Sequence, residues 1–137
     1  MKKLLLLLSL ISIISCSKHD DDEYKEKIYN GPTYLEPPTW LQGIWMDDKH
    51  RGFKFTEYDL LYKYPMPNYI SASSEINYYA SQLDEDEYPD IQEIELKDIY
   101  SLKYYLYSGQ SRKFIFTKIS DNQIESSGFM PGIYTKQ

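Results

Sequence analysis

The sequence predicts an all-β fold: a small antiparallel meander, closed or half-closed into a barrel, with one short helix. Three observations predict it. From Trp40 onward, short runs rich in apolar residues are separated by turn-forming clusters about ten residues apart. The chain carries 15 tyrosines, spread along its length, and a tyrosine suits a half-buried pleated surface, where the ring packs and the hydroxyl stays wet. Only one segment shows helical spacing. Closing such a sheet removes the free edges that invite aggregation.

The elements follow in order. Trp40 to Met46, with Trp40, Leu41, Ile44 and Trp45, reads as a first strand, and Asp47-Asp48-Lys49-His50-Arg51-Gly52 as the hairpin turn after it. Phe53-Lys54-Phe55-Thr56 alternates, so both phenylalanines share a face. Tyr58 to Tyr64 continues as a strand until Pro65 and Pro67, because proline has no N–H to give to a ladder. Over Ser71 to Leu83, Ser73 or Ser74 can cap a helix, and Ile76, Tyr79 or Ala80, and Leu83 recur at the spacing of a short amphipathic one. Asp84-Glu85-Asp86-Glu87 and Pro89 end it.

Ile91 to Leu96 alternates as a strand, with Gln92, Ile94 and Leu96 on one face. Ile91, Glu93 and Glu95 share the other, which is expected to be wet. Leu102 to Tyr107 and Lys113 to Ile119 flank Ser108-Gly109-Gln110-Ser111, a turn with glycine where left-handed backbone is easiest. Phe114, Phe116 and Lys118 point one way, and Ile115, Thr117 and Ile119 the other. Asp121-Asn122 turns the chain, Gln123 to Ser127 returns, and Phe129 to Thr135 closes. No internal repeat is visible.

The N-terminus carries a different signal. Met1-Lys2-Lys3 is a short basic stretch, and Leu4 to Ile14 is an apolar run broken only by serines, the order of a secretion signal. A membrane-spanning helix needs roughly 20 apolar residues, and here Lys18 and Asp20-Asp21-Asp22-Glu23 arrive too soon. Ile13-Ile14-Ser15-Cys16 resembles the lipobox of bacterial lipoproteins. That resemblance implies removal of residues 1–15 and acylation of Cys16, with three acyl chains as the membrane anchor; one chain alone holds only marginally. Ser17, where an aspartate would retain such a protein in the inner membrane, points to the outer membrane. Ser17-Lys18-His19-Asp20-Asp21-Asp22-Glu23 is similar to the surface-export signal of Bacteroidota lipoproteins, and equally reads as a solvated acidic spacer.

Removing Lys2 and Lys3 with the leader takes the formal charge from −6 to −8. This balance argues against nucleic acid, which needs a basic footprint, and against a second grip on anionic lipid. Cys16 is the one cysteine, so with its sulfur acylated no disulfide forms and packing alone must hold the fold. Residues 1–15 are thus expected to be the leader, 16–37, with Gly31-Pro32 and Pro37-Pro38, an acylated flexible tether, and 38–137 one domain.

Gly43-Ile44-Trp45, followed by Gly52-Phe53-Lys54-Phe55-Thr56, looks like the opening of the lipocalin-like lipoproteins, and Lys113 to Lys136 is similar to that group's last hairpins. The resemblance covers about a third of the chain and implies a barrel whose G-x-W tryptophan packs across one end. The arginine that covers this tryptophan in the family has no assigned counterpart. Trp45 and Trp40 are the candidate core or ligand-contacting aromatics: Trp45 reads as a barrel-end core residue, and Trp40, close after Pro37-Pro38, as a plug.

Chemistry is sparse. Nucleophilic catalysis needs a nucleophile, a base and an orienting group in reach, but the histidines are His19 in the tether and His50 in a charged turn. No metalloprotease, phosphate-loop or nucleophile-elbow motif occurs. Asp84, Asp86, Glu87 and Asp90 cluster carboxylates of the kind calcium takes, yet Tyr88 and Pro89 stand where an EF-hand loop needs other residues, so the stretch reads as a solvated loop. Glu93 and Glu95 read as a solvated stripe, not a glycosidase pair, which would face across a cleft at about 5–9.5 Å. No catalytic residue, cofactor or metal is expected.

The sequence leads to a lipid-anchored outer-membrane protein whose domain is a non-enzymatic binding or interaction module for a glycan, a small apolar ligand or a partner protein. The alternative is a structural or accessory subunit of an envelope complex. A hollow interior would favour the first, and a filled one beside an exposed aromatic patch the second.

Overall fold

The computed structural model describes residues 35–64, 66–106 and 109–137. The expected leader 1–15, Cys16 and the acidic stretch of the expected tether lie outside the described residues. The elements are β1 (Gly43–Met46), β2 (Gly52–Phe55), β3 (Leu60–Lys63), β4 (Ile70–Ser71), α1 (Ala72–Ala80), β5 (Ile91–Glu95), β6 (Ile99–Tyr105), β7 (Ser111–Ser120), β8 (Gln123–Ser126) and β9 (Gly132–Lys136). The strands form one nine-stranded antiparallel sheet in the order β4-β3-β2-β1-β9-β8-β7-β6-β5. It is an all-β, lipocalin-like half-barrel with a single short helix among the described residues.

Two meanders, β1–β4 and β5–β9, join where β1 pairs with β9, Trp45 opposite Lys136 and Met46 opposite Thr135. The sheet stays open between β4 and β5, and α1 occupies that opening, packed on β3, β4 and β6. The helix is capped by Ser71 instead of Ser73 or Ser74. Ser71 ends β4 in extended geometry, so its Oγ can accept from the Ser74 N–H at 3.0 Å. Asp59 completes the cap, accepting from the Ser71 hydroxyl at 2.5 Å and the Ser73 N–H at 3.0 Å. Ala72 and Ile76, one turn apart, are the helix's buried face.

Alternation places the core. Phe53 and Phe55 of β2, Tyr100, Leu102 and Tyr104 of β6, and Phe114 and Phe116 of β7 all point inward and are buried. Phe53 lies 4.7–6.2 Å between ring centroids from Phe55, Phe114, Phe116 and Tyr134. Burying each such side chain stabilises the fold by about 1.5–3 kcal/mol.

Three local expectations change. The first strand starts at Gly43, because Trp40 and Leu41 form a turn in which the Leu41 N–H donates to the Pro38 carbonyl. Within the stretch expected to be tether, Leu35 is fully buried and donates its N–H to the Tyr58 carbonyl, so the described packing is already in place at residue 35. On β5 the inward face is Ile91, Glu93 and Glu95, opposite the buried Tyr104, Leu102 and Tyr100. Ile91 packs on the core, and the face expected to be wet is the inner one.

Candidate functional site

The concave side of the half-barrel holds a cluster of large buried side chains among the described residues. Trp45, Phe53, Phe116 and Tyr134 are fully buried in one cluster with the other inward residues. Trp45 is thus a core residue, its indole N–H donating to the Leu41 carbonyl at 2.6 Å. Lys136 Nζ stands 5.2 Å from the centroid of its ring. Gly43 makes room for that lysine: a Cβ there would lie 2.9 Å from Lys136 Cε, and φ is +127°, where a side chain is strained. Trp40 packs against the same cluster, partly buried, and its indole nitrogen has no hydrogen-bond partner among the described residues.

The opening between β4 and β5 is closed by a polar latch. Glu75 of α1 accepts from the Tyr62 hydroxyl of β3 at 2.8 Å and the Tyr104 hydroxyl of β6 at 2.5 Å. Arg112 Nε of β7 donates to it at 3.3 Å, its guanidinium stacked over Phe129 and Tyr62 at 4.7 and 5.2 Å. Burial, then the carboxylate beside them, pushes both phenols well above the ordinary tyrosine range. Both therefore stay protonated donors. The arrangement joins the two halves of the sheet through one helical carboxylate.

A second knot ties the β1–β2 turn to the β8–β9 connection. Asp47, only 2% exposed at its side chain, accepts from the Lys49 and Arg51 N–H groups at 3.0 and 2.8 Å and from Arg51 Nε at 2.5 Å. Arg51 Nη2 donates to the Pro131 carbonyl at 2.9 Å. Burial raises the Asp47 pKa, but the Arg51 hydrogen bonds and charge outweigh it and hold the carboxyl below its usual range. The neighbouring Tyr134, mainly through burial, is pushed up to about 12.

The surface offers a shallow hollow of about 760 Å3 on the outward side of the β1–β9 seam, lined by Met46, Ile133 and Thr135 together with Asp47, Asp48, His50 and Gln137. Ile133 is 48% exposed. His50 has a left-handed backbone, φ 61°, unusual for a residue with a side chain. The sequence signalled this place only as a charged turn, because its other wall comes from β9, some 80 residues away.

The carboxylates singled out earlier do not assemble. Among the described residues no group of three or more histidine, cysteine or acidic side chains could hold a metal ion, and Asp84, Asp86, Glu87 and Asp90 are exposed. Glu93 is committed to structure, accepting from the Tyr100 hydroxyl and the Glu36 N–H at 2.8 Å each. No described helix is long and apolar enough to cross a membrane. Compared with known proteins, the chain matches no family model, no curated protein and no solved structure.

Proposed function

We propose that this chain is a lipid-anchored outer-membrane protein, facing the cell surface, whose domain is a non-enzymatic interaction module that engages a glycan or partner protein through its outer surface. One observation supports the choice of surface: the aromatic cluster from Trp45 to Tyr134 lies buried on the concave side. A lipocalin that carries a small apolar ligand needs a lined cavity there, so the buried cluster favours contact from outside. The hollow at the β1–β9 seam, where Met46 and Ile133 stand beside polar side chains, is the contact we favour. The same buried cluster also favours the second reading, an accessory subunit of an envelope complex.

Anchoring rests on the Ile13-Ile14-Ser15-Cys16 lipobox. Labelling with a palmitate analogue should mark the wild type and not Cys16→Ser, which should leave the membrane fraction; an unlabelled wild type overturns the anchor. For the contact, cross-linking on intact cells should give adducts that Thr135→Trp, which fills the hollow from an outward position, removes. Adducts unchanged in that variant would move the contact elsewhere.

A further inference from the structure

We propose that Arg112 binds a carboxylate group of an external ligand at the mouth of the half-barrel, through the two amino groups that the fold leaves unused. The chain has two arginines, Arg51 and Arg112. Arg51 is committed on both sides, its Nε donating to Asp47 and its Nη2 to the Pro131 carbonyl. Arg112 is committed on one. Its Nε donates to Glu75 at 3.3 Å, and among the described residues neither terminal amino group has an acceptor. Both amino groups reach solvent, since the buried side-chain nitrogen or oxygen atoms without a partner among the described residues come down to Trp40 Nε1. The side chain as a whole is 25% exposed.

The fold fixes this fork in advance. Alternation turns Arg112 to the same side as Phe114 and Phe116, but at the end of β7, opposite Tyr104 and beside the opening that α1 occupies. The connection after β8 runs along β7, with the Phe129 N–H donating to the Lys113 carbonyl at 2.7 Å. That places the Phe129 ring 4.7 Å from the guanidinium carbon, and the Tyr62 ring stands at 5.2 Å. Such contacts engage the face of a guanidinium and leave its in-plane N–H groups free. A donor pair already held in place loses little freedom when a ligand arrives.

Glu75 leaves the fork open and also selects what enters it. Strong arginine–carboxylate pairing is bidentate, with two parallel N–H bonds, whereas here one N–H makes one long contact. The Tyr62 and Tyr104 hydroxyls are the closer donors to Glu75, at 2.8 and 2.5 Å. The Glu75 charge offsets that of Arg112, and Lys113, the next residue, alternates to the outer face. A dianion such as phosphate would therefore meet repulsion with no second cation to balance it. A singly charged, planar carboxylate fits the geometry and the charge. This site is separate from the hollow at the β1–β9 seam and does not rest on it.

The test uses the full chain in nonionic detergent, labelled with nitrogen-15, in which each arginine gives its own Nε–H signal. Replacing chloride by acetate at constant ionic strength should shift the Arg112 signal saturably and leave that of Arg51 in place. Half-saturation is expected below about 50 mM, the range for hydrogen bonds to a charged group. Arg112→Lys keeps the charge and loses the fork, so, read at the Phe129 and Lys113 amides, it should need at least about tenfold more acetate. Glucuronate and an N-acetylated amino acid carry the same group on a sugar and on a peptide end; competition with acetate by either supports the site and tells which source it accepts. Non-saturating shifts, equal shifts at both arginines, an unaltered titration in Arg112→Lys, failure of both competitors, or tighter binding of dianionic phosphate would each overturn the proposal.

Discussion

Tyr104 donates its hydroxyl to Glu75 at 2.5 Å, joining β6 to the helix that fills the sheet's opening. A half-barrel with two free edges would splay unless something crossed from one to the other. Glu75 does so, because it also receives Tyr62 from the opposite half.

The latch should behave as one unit. Tyr104→Phe and Tyr62→Phe should each cost about 1–3 kcal/mol, the range for a hydrogen bond to a charged, partly buried acceptor. Combined with Glu75→Gln, the losses should be less than additive, since the partners share one carboxylate. Denaturant unfolding of the singles and doubles measures this; strictly additive losses would show that the hydroxyls act separately.

Alkaline pH should unfold the protein early. Tyr62, Tyr104 and Tyr134 all have folded pKa values raised above the ordinary 10.0, chiefly by burial. A raised folded pKa gives stability that is full below the unfolded value and is lost as pH rises toward the folded one. Stability should therefore decline from about pH 10 upward, through the Tyr134 value near 12. Tyr134→Phe should flatten that limb by about one proton's worth in the slope of unfolding free energy against pH.

Gly128 should not tolerate a methyl group. A Cβ there would sit 2.2 Å from the Lys113 carbonyl oxygen and 3.2 Å from Phe114 Cα, because residues 127–129 run directly along β7, with the Phe129 N–H donating to Lys113 at 2.7 Å. Gly128→Ala must push two backbones apart and should cost at least about 2 kcal/mol, at the upper end for overpacking. A midpoint unchanged within error would contradict the close approach.

His50 presents the opposite case. It is exposed with φ 61°, and glycine takes that conformation without the side-chain penalty. After the entropy that glycine adds to the unfolded chain, His50→Gly should still gain about 0.5 kcal/mol, read as a higher melting temperature. If the hollow is the contact, the same change should weaken cell-surface adducts.

Much of the fold was legible because short strands declare their faces. Phe53 with Phe55, and Phe114 with Phe116, alternate around polar residues, and the chain buries them as that pattern implies. Ile76 and the stop at the acidic loop marked the helix, although its cap came from Ser71 and Asp59, residues whose role depends on where β4 ends. The face of β5 was misread because Glu93 points inward, and only the Tyr100 hydroxyl and the Glu36 N–H, supplied by other parts of the chain, make that tolerable.

The polar latch and the hollow had no local signature. Glu75 reads as one acid on a helix, and its partners lie 13, 29 and 37 residues away. Likewise, Lys136 follows from the β1–β9 pairing, which places it opposite Trp45. Long-range pairing, invisible to periodicity, brings these groups together.

The proposed contact from outside requires that the buried cluster leave no ligand chamber on the concave side. The most direct measurement is titration of the Cys16→Ser protein, free of acyl chains, with a long-chain fatty acid and an environment-sensitive apolar dye, following tryptophan and dye emission. The packed interior predicts only weak, non-saturating change. Saturable one-to-one uptake that is lost when Phe116 is replaced by Trp, in a variant that still folds, would show an internal ligand chamber and contradict the account.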